Sequence, residues 1–266
     1  MMLGNINSFL GDYEKAENLL LKGLPLIEDY FSDATNELER AYSYFFVLYE
    51  FQRAPNQMID YMNKALEAYS KSGTNDFEWI KANAYNNLGI AYELKEDWEK
   101  AINYYQLSIA INNRFEDRKL QLAKNYLNLS TPLSKINRFD EALSYLKQAK
   151  KNFKSLQSGL LLARAWSFEG DIYYEIKAYK QALQSHQIAI NELTLDFQSD
   201  NFYQTPATNS LIIGNRLNFV EFLDAKAKTF KALAQQENKI NNLQAATATY
   251  DTITKLIDLI RTDFDA

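Results

Sequence analysis

The sequence predicts an all-α fold, a superhelical solenoid of about six helical hairpins, and three observations carry that prediction. Across 266 residues, 47% hydrophobic content beside 24% charge is enough to bury a core, while 8 Gly and 4 Pro are too few for a loop-rich or all-β chain. Between residues 82 and 108 two helical faces meet at a tight break. Tyr85, Leu88, Gly89 and Tyr92 fall at i, i+3, i+4 and i+7, and Trp98, Ala101, Tyr105 and Ser108 likewise share one helix face at i, i+3, i+7 and i+10. The position held by Ala101 then recurs at Ala16, Met58, Ala142, Ala182 and Ala246, so that successive intervals along the chain are 42, 43, 41, 40 and 64 residues. Large residues alternating with small ones suit closely packed antiparallel helices, and a near-constant interval means that each hairpin buries its face on its neighbours.

Taken in order, the first hairpin reads as incomplete. Leu3 and Gly4 already hold its Leu-Gly positions, Asp12 is placed to cap the next helix, and Gly23 with Pro25 should kink or locally break that helix. The second hairpin carries Tyr42, Phe45, Phe46 and Tyr49, then Met58, Met62 and Ala65; Phe46 stands where glycine is expected, so its two helices should splay. The fourth pairs Tyr126, Leu129, Ser130 and Leu133 with Phe139, Ala142, Leu146 and Ala149, and Pro132 should bend the first of its helices. The fifth pairs Trp166, Gly170 and Tyr173 with Tyr179, Ala182 and Ala189. Repeats one to five thus occupy 1–195 of a single array. Periodicity stops over 196–216, a polar insertion in which Leu211 to Ile213 are placed to dock a short turn. It resumes over 217–264 as a final helical pair.

The order Trp/Tyr, Leu, Gly, Tyr, Ala, Tyr resembles the tetratricopeptide repeat (TPR) family, which implies a right-handed superhelix. The interval exceeds the ~34 residues of the usual unit by about two helical turns. In this it resembles long-repeat members such as kinesin light chains and bacterial peptide-sensing regulators. The segment FVEFLDAKAKTFKALAQQENKINNLQAATATYDTITKLIDLIRTDF looks like the last repeat of the TPR regions that precede a CHAT domain, a caspase-like protease module, in bacterial proteins. A CHAT module needs a catalytic His and Cys, and this sequence holds no Cys, so the resemblance implies a regulatory array without its protease.

The remaining chemistry is sparse. Zero Cys removes disulfides, thiolate metal sites and cysteine nucleophiles. A net charge of −5 and a pI near 5.2 argue against a phosphate-binding face and hence against nucleic acid. No apolar run of about 18 residues suggests a span, so a soluble, cytoplasmic chain without a membrane partner is expected. The single histidine, His186, falls where repeats pack a ring, with no Ser or Cys at dyad spacing. There is no glycine-rich phosphate loop and no metal signature, so neither an enzyme nor a cofactor is expected. The expected partner is a protein or extended peptide and, in a longer chain, a CHAT protease domain.

In TPR arrays the first helix of each pair lines the concave groove, and the resemblance assigns to it Arg40, Tyr44, Asn83, Asn86, Asn87, Ile90, Lys124, Asn128, Arg164, Phe168, Asp171 and Lys228. The amides donate and accept at once, which suits holding the backbone of an extended peptide. Arg40, Lys124, Arg164 and Lys228 share one repeat position and would give an acidic chain a basic stripe. The carboxylate clamp of chaperone-binding TPR proteins is not matched, because Ile90 stands where that clamp has Asn. The expected function is therefore a protein- or peptide-binding scaffold, the N-terminal region of a CHAT-type protein; the alternative is a peptide sensor that changes conformation on binding.

Overall fold

A computed structural model describes residues 1–30, 35–72, 78–208 and 216–264. Residues 211–213, expected to form a short docked turn, lie outside the described residues. Among those described there are twelve α-helices and no β-strand, in two compact units. Met1–Arg138 holds α1 (Met2–Phe9), α2 (Tyr13–Tyr30), α3 (Thr35–Phe51), α4 (Pro55–Ser72), α5 (Glu78–Leu94), α6 (Trp98–Asn112) and α7 (Lys119–Lys135), with a 3-10 turn at Glu116–Arg118. Phe139–Ala266 holds α8 (Phe139–Ser155), α9 (Gly159–Glu175), α10 (Tyr179–Glu192), α11 (Arg216–Leu233) and α12 (Lys239–Phe264).

Within each unit every helix packs on the next, and the odd-numbered helices also touch one another: α1 with α3, α3 with α5, α5 with α7, and separately α9 with α11. That is the contact pattern of stacked hairpins. The repeat positions Ala16, Met58, Ala101, Ala142 and Ala182 are all fully buried, and Ala246 nearly so.

The turns explain the constant interval. Gly11, Arg53, Glu96, Asn137 and Lys177 all have positive φ and follow one another at 42, 43, 41 and 40 residues, matching the interval of the buried positions. At each, two hydrogen bonds close the helix: at Glu96, for example, its N–H reaches the Glu93 carbonyl and the Asp97 N–H reaches that of Tyr92 at 2.9 Å, a left-handed C-cap. Asp97 then caps α6 through the Lys100 N–H, and Asp12 caps α2 through that of Lys15, both at 3.3 Å.

Glycine marks where the helices of a pair come closest. A Cβ on Gly4 would lie 2.8 Å from Leu20, one on Gly89 2.5 Å from the Tyr105 ring, and one on Gly170 2.5 Å from the His186 ring. Leu20, Tyr105 and His186 each follow the buried alanine by one turn, so the same contact is built three times with three different side chains. At the second hairpin, where Phe46 stands in place of glycine, the phenyl ring is itself buried.

Of the expectations from proline, the local break in α2 is not observed. The α2 helix runs unbroken through Gly23 and Pro25, and α7 continues through Pro132 to Lys135. In α2 the leucine face carries the helix across, with Leu20 and Leu24 buried on either side of the glycine. Over 196–208 the insertion is tied down by hydrogen bonds. Thr194 Oγ1 donates to the Phe197 carbonyl at 2.7 Å, Asn191 Nδ2 to that of Ser199 at 3.0 Å, and the Tyr203 hydroxyl to Asn242 Oδ1 at 2.9 Å.

Candidate functional site

In Met1–Arg138 the contact between α5 and α7 brings together amides one repeat apart. Asn86 is the hub: its Oδ1 accepts from Asn125 Nδ2 at 2.8 Å and from Asn128 Nδ2 at 3.0 Å, while its own Nδ2 donates to Asn87 Oδ1 at 3.3 Å. Asn125 in turn accepts from Asn112 Nδ2 at 2.7 Å, at the end of α6. Arg118, on the 3-10 turn, donates to Asn83 Oδ1 at 2.6 Å and to Asn112 Oδ1 at 3.2 Å, with its guanidinium over the Trp79 ring. A buried amide needs such partners, and here they also fix each rotamer.

These groups wall a polar cleft of about 160 Å3, completed by Glu39 and Ser43 from α3 and by Gln121 and Lys124 from α7. Glu39 is 7% exposed and accepts from the Ser43 hydroxyl at 3.0 Å. Burial pushes its carboxyl above the usual range, and the Ser43 and Asn83 hydrogen bonds and the Arg118 charge oppose that rise. The cleft thus offers amide donors and acceptors, one exposed ammonium and one buried carboxyl, a set suited to holding polar groups. Among the described residues no group of three His, Cys, Asp or Glu is placed to hold a metal.

Of the residues the sequence assigns to the groove, Asn83, Asn86, Asn87 and Lys124 line this cleft, and Asn128 joins it through Asn86. Tyr44 and Ile90 are half-buried against the core of the unit, and Arg40 is exposed on α3. In Phe139–Ala266, Arg164 and Asp171 are exposed on α9 and Phe168 is half-buried. Lys228 is exposed on α11, where Asp224 answers its charge at 2.5 Å. Sequence reasoning missed Glu39, Asn112, Arg118 and Asn125. For Asn125 a signal existed: it lies 39 residues after Asn86, as Asn128 lies 42 after it, both close to one repeat.

The second unit buries two basic side chains in place of amides. His186 is fully enclosed, neither ring nitrogen is hydrogen-bonded, and burial together with the nearby Lys226 charge lowers its pKa to about 3. Lys226 is also fully enclosed; its Nζ donates to Gln187 Oε1 at 2.6 Å and to the Gln204 carbonyl at 2.7 Å, and burial lowers its pKa to about 7. His186 is thus a core side chain, as its sequence position predicts.

Models of the tetratricopeptide repeat match residues 1–30 and 80–155. Tetratricopeptide repeat protein 29 of Homo sapiens is 31% identical over 139 residues, which make up 51% of this chain and 28% of the relative. The chain therefore spans under a third of the curated relatives it matches. Among solved structures, BtubC (BKLC) from P. vanneervenii aligns with a TM-score of 0.68 at 16% identity, covering 94% of this chain and 91% of that one. NprR in complex with its cognate peptide NprX aligns at 0.58 and 16%, covering 96% and 69%. At these identities the likeness is one of fold, and the fold is that of a tetratricopeptide-repeat solenoid. No helix among the described residues is long and apolar enough to cross a membrane.

Proposed function

We propose that this chain is a non-catalytic scaffold that binds a protein or an extended peptide across the amide-lined face of α5 and α7. The observation that carries the reading is the convergence of Asn83, Asn86, Asn87 and Lys124 on one polar cleft, with the asparagine rotamers fixed before any ligand arrives. Main-chain amides of an extended segment present donors and acceptors alternately, which side-chain amides match. The likeness in fold to NprR, solved with a bound peptide, supports it. In the finer reading the chain is the cytoplasmic regulatory region of a bacterial CHAT-type protein, with Arg40 and Lys124 of the first unit supplying basic charge for acidic side chains. The sequence resemblance over 219–264 supports that reading, and sequencing the gene beyond Ala266 tests it: a following domain with a His and a Cys sustains it, and its absence removes it.

Binding itself is tested with 12-residue peptides selected from a displayed random library on the wild-type chain, titrated at low and high salt. Asn87→Ala and Asn83→Ala should weaken binding at both, by about 5- to 150-fold, since each removes a hydrogen bond at a partly desolvated site worth ~1–3 kcal/mol. Lys124→Ala should weaken it chiefly at low salt, because exposed charges act through a field screened within ~8–10 Å. Asn86→Ala also unseats Asn125 and Asn128, so its unfolding midpoint must be read beside its affinity. Selected peptides that ignore all these variants would remove the site from this face.

A further inference from the structure

A second opening, of about 840 Å3, lies wholly within Phe139–Ala266 between α8, α9 and α10. Leu162, Trp166 and Tyr173 of α9 form its floor, about 200° around the helix from Arg164, Phe168 and Asp171, the residues assigned to the groove. Ile188 of α10 closes the far wall.

The near wall is α8, and its lysines divide into two kinds. Lys150 is almost buried; its Nζ lies 3.3 Å from the centre of the Trp166 ring and pairs with Glu169, whose other oxygen accepts from Ser185. Burial lowers the Lys150 pKa, and the Glu169 hydrogen bond and charge oppose this, so the pair belongs to the floor and adds no free charge. Lys147, Lys151 and Lys154, by contrast, are exposed along the rim, spread over about 10 Å of helix, with no ion pair among the described residues. Carboxylates line only two further places, Asp140 at the start of α8 and Glu192 at the end of α10.

We infer that this cleft is a second binding site, on the face of α9 opposite the groove, for an acidic protein segment that carries large apolar or aromatic side chains. The apolar floor takes the ring or aliphatic chain, and Trp166, already locked by Lys150, is the kind of rigid aromatic on which interfaces concentrate their energy. The three rim lysines take the carboxylates and set the sign of the partner. A nucleic acid fits less well: three free lysines make a short track, Asp140 and Glu192 would repel phosphate at its two ends, and the chain as a whole carries −5.

The test uses the full chain with Trp79→Phe and Trp98→Phe, which leaves Trp166 as the one indole reporter. A random copolymer of glutamate and tyrosine should shift its emission saturably, with the affinity falling at least tenfold in Lys147→Glu/Lys151→Glu/Lys154→Glu and staying unchanged in Asn87→Ala. Polyglutamate should bind at least fivefold more weakly than the copolymer, because it leaves the floor uncovered. Circular dichroism confirms that the exposed charge reversals leave the helices intact. Copolymer binding that is absent, or equal in the triple variant, overturns the site. Heparin binding as tightly as the copolymer, with the same lysine dependence, overturns the assignment to a protein segment.

Discussion

The α5–α6 and α9–α10 hairpins press a ring against a helix glycine at equivalent positions, yet they bury opposite chemistry. In the first, Gly89 meets Tyr105, whose enclosed hydroxyl lies by Glu93, and burial pushes that carboxyl up to about 7. In the second, Gly170 meets His186, held near 3 by burial, with Lys226 adding to the effect and Asp171 no nearer than 3.9 Å. The repeat fixes where a large side chain goes and leaves its protonation to local surroundings. Two copies of one backbone motif should therefore respond to pH in opposite directions.

The largest effect is expected at His186. Its folded pKa lies below the unfolded value of about 6.5, so the unfolded chain takes up the proton first and stability falls as pH falls, by on the order of 5 kcal/mol between about pH 6.5 and pH 3. His186→Phe keeps a ring against Gly170 and removes the titration. Urea midpoints of wild type and variant should therefore diverge steadily below pH 6.5, and a gap independent of pH would refute the assignment.

Glu93 gives the mirror image on a smaller scale. Its folded pKa lies above the unfolded one, so its contribution is present in full below about pH 4.5 and is lost as pH rises toward 7, by on the order of 3 kcal/mol. Glu93→Gln should be the less stable protein at pH 4 relative to its standing at pH 7. A ranking that holds still across that range would break the comparison with α9–α10.

Steric matching comes last and should be the same in both hairpins. Gly89→Leu and Gly170→Leu each drive a side chain into a ring and should cost ~1–3 kcal/mol in denaturant unfolding at pH 7. An unchanged midpoint for either would mean that its helices are free to separate there.

What the sequence discloses follows the same division. The interval from Ala16 through Ala182 anticipates both the buried positions and the left-handed turns, because one helix length sets both, and Gly89 and Gly170 are legible as close contacts. The persistence of α2 through Pro25 is not, since the burial of Leu20 and Leu24 outweighs a local preference that the sequence displays openly. Of the amide site, Asn83, Asn86, Asn87, Lys124 and Asn128 were legible on first helices and Glu39 and Asn125 on the same helices were missed, whereas Asn112 and Arg118 enter from a helix end and a 3-10 turn, where no repeat position predicts a side chain. The lysines of α8 carry no sequence signal of a site; only packing reveals that Trp166 lies beneath one of them.

The clamp on the insertion has a consequence for chemical labelling. A lysine whose amine loses its proton near pH 7 is intrinsically nucleophilic at neutral pH, unlike the exposed lysines around it, so protonation does not protect Lys226. Enclosure does: the carbonyl of Gln204 and the side chain of Gln187 cover the nitrogen, and an acylating reagent reaches it only while 196–208 is lifted away. The rate at which that one amine is acylated would therefore count the openings of the loop, a clock already present in the chain and requiring no added probe.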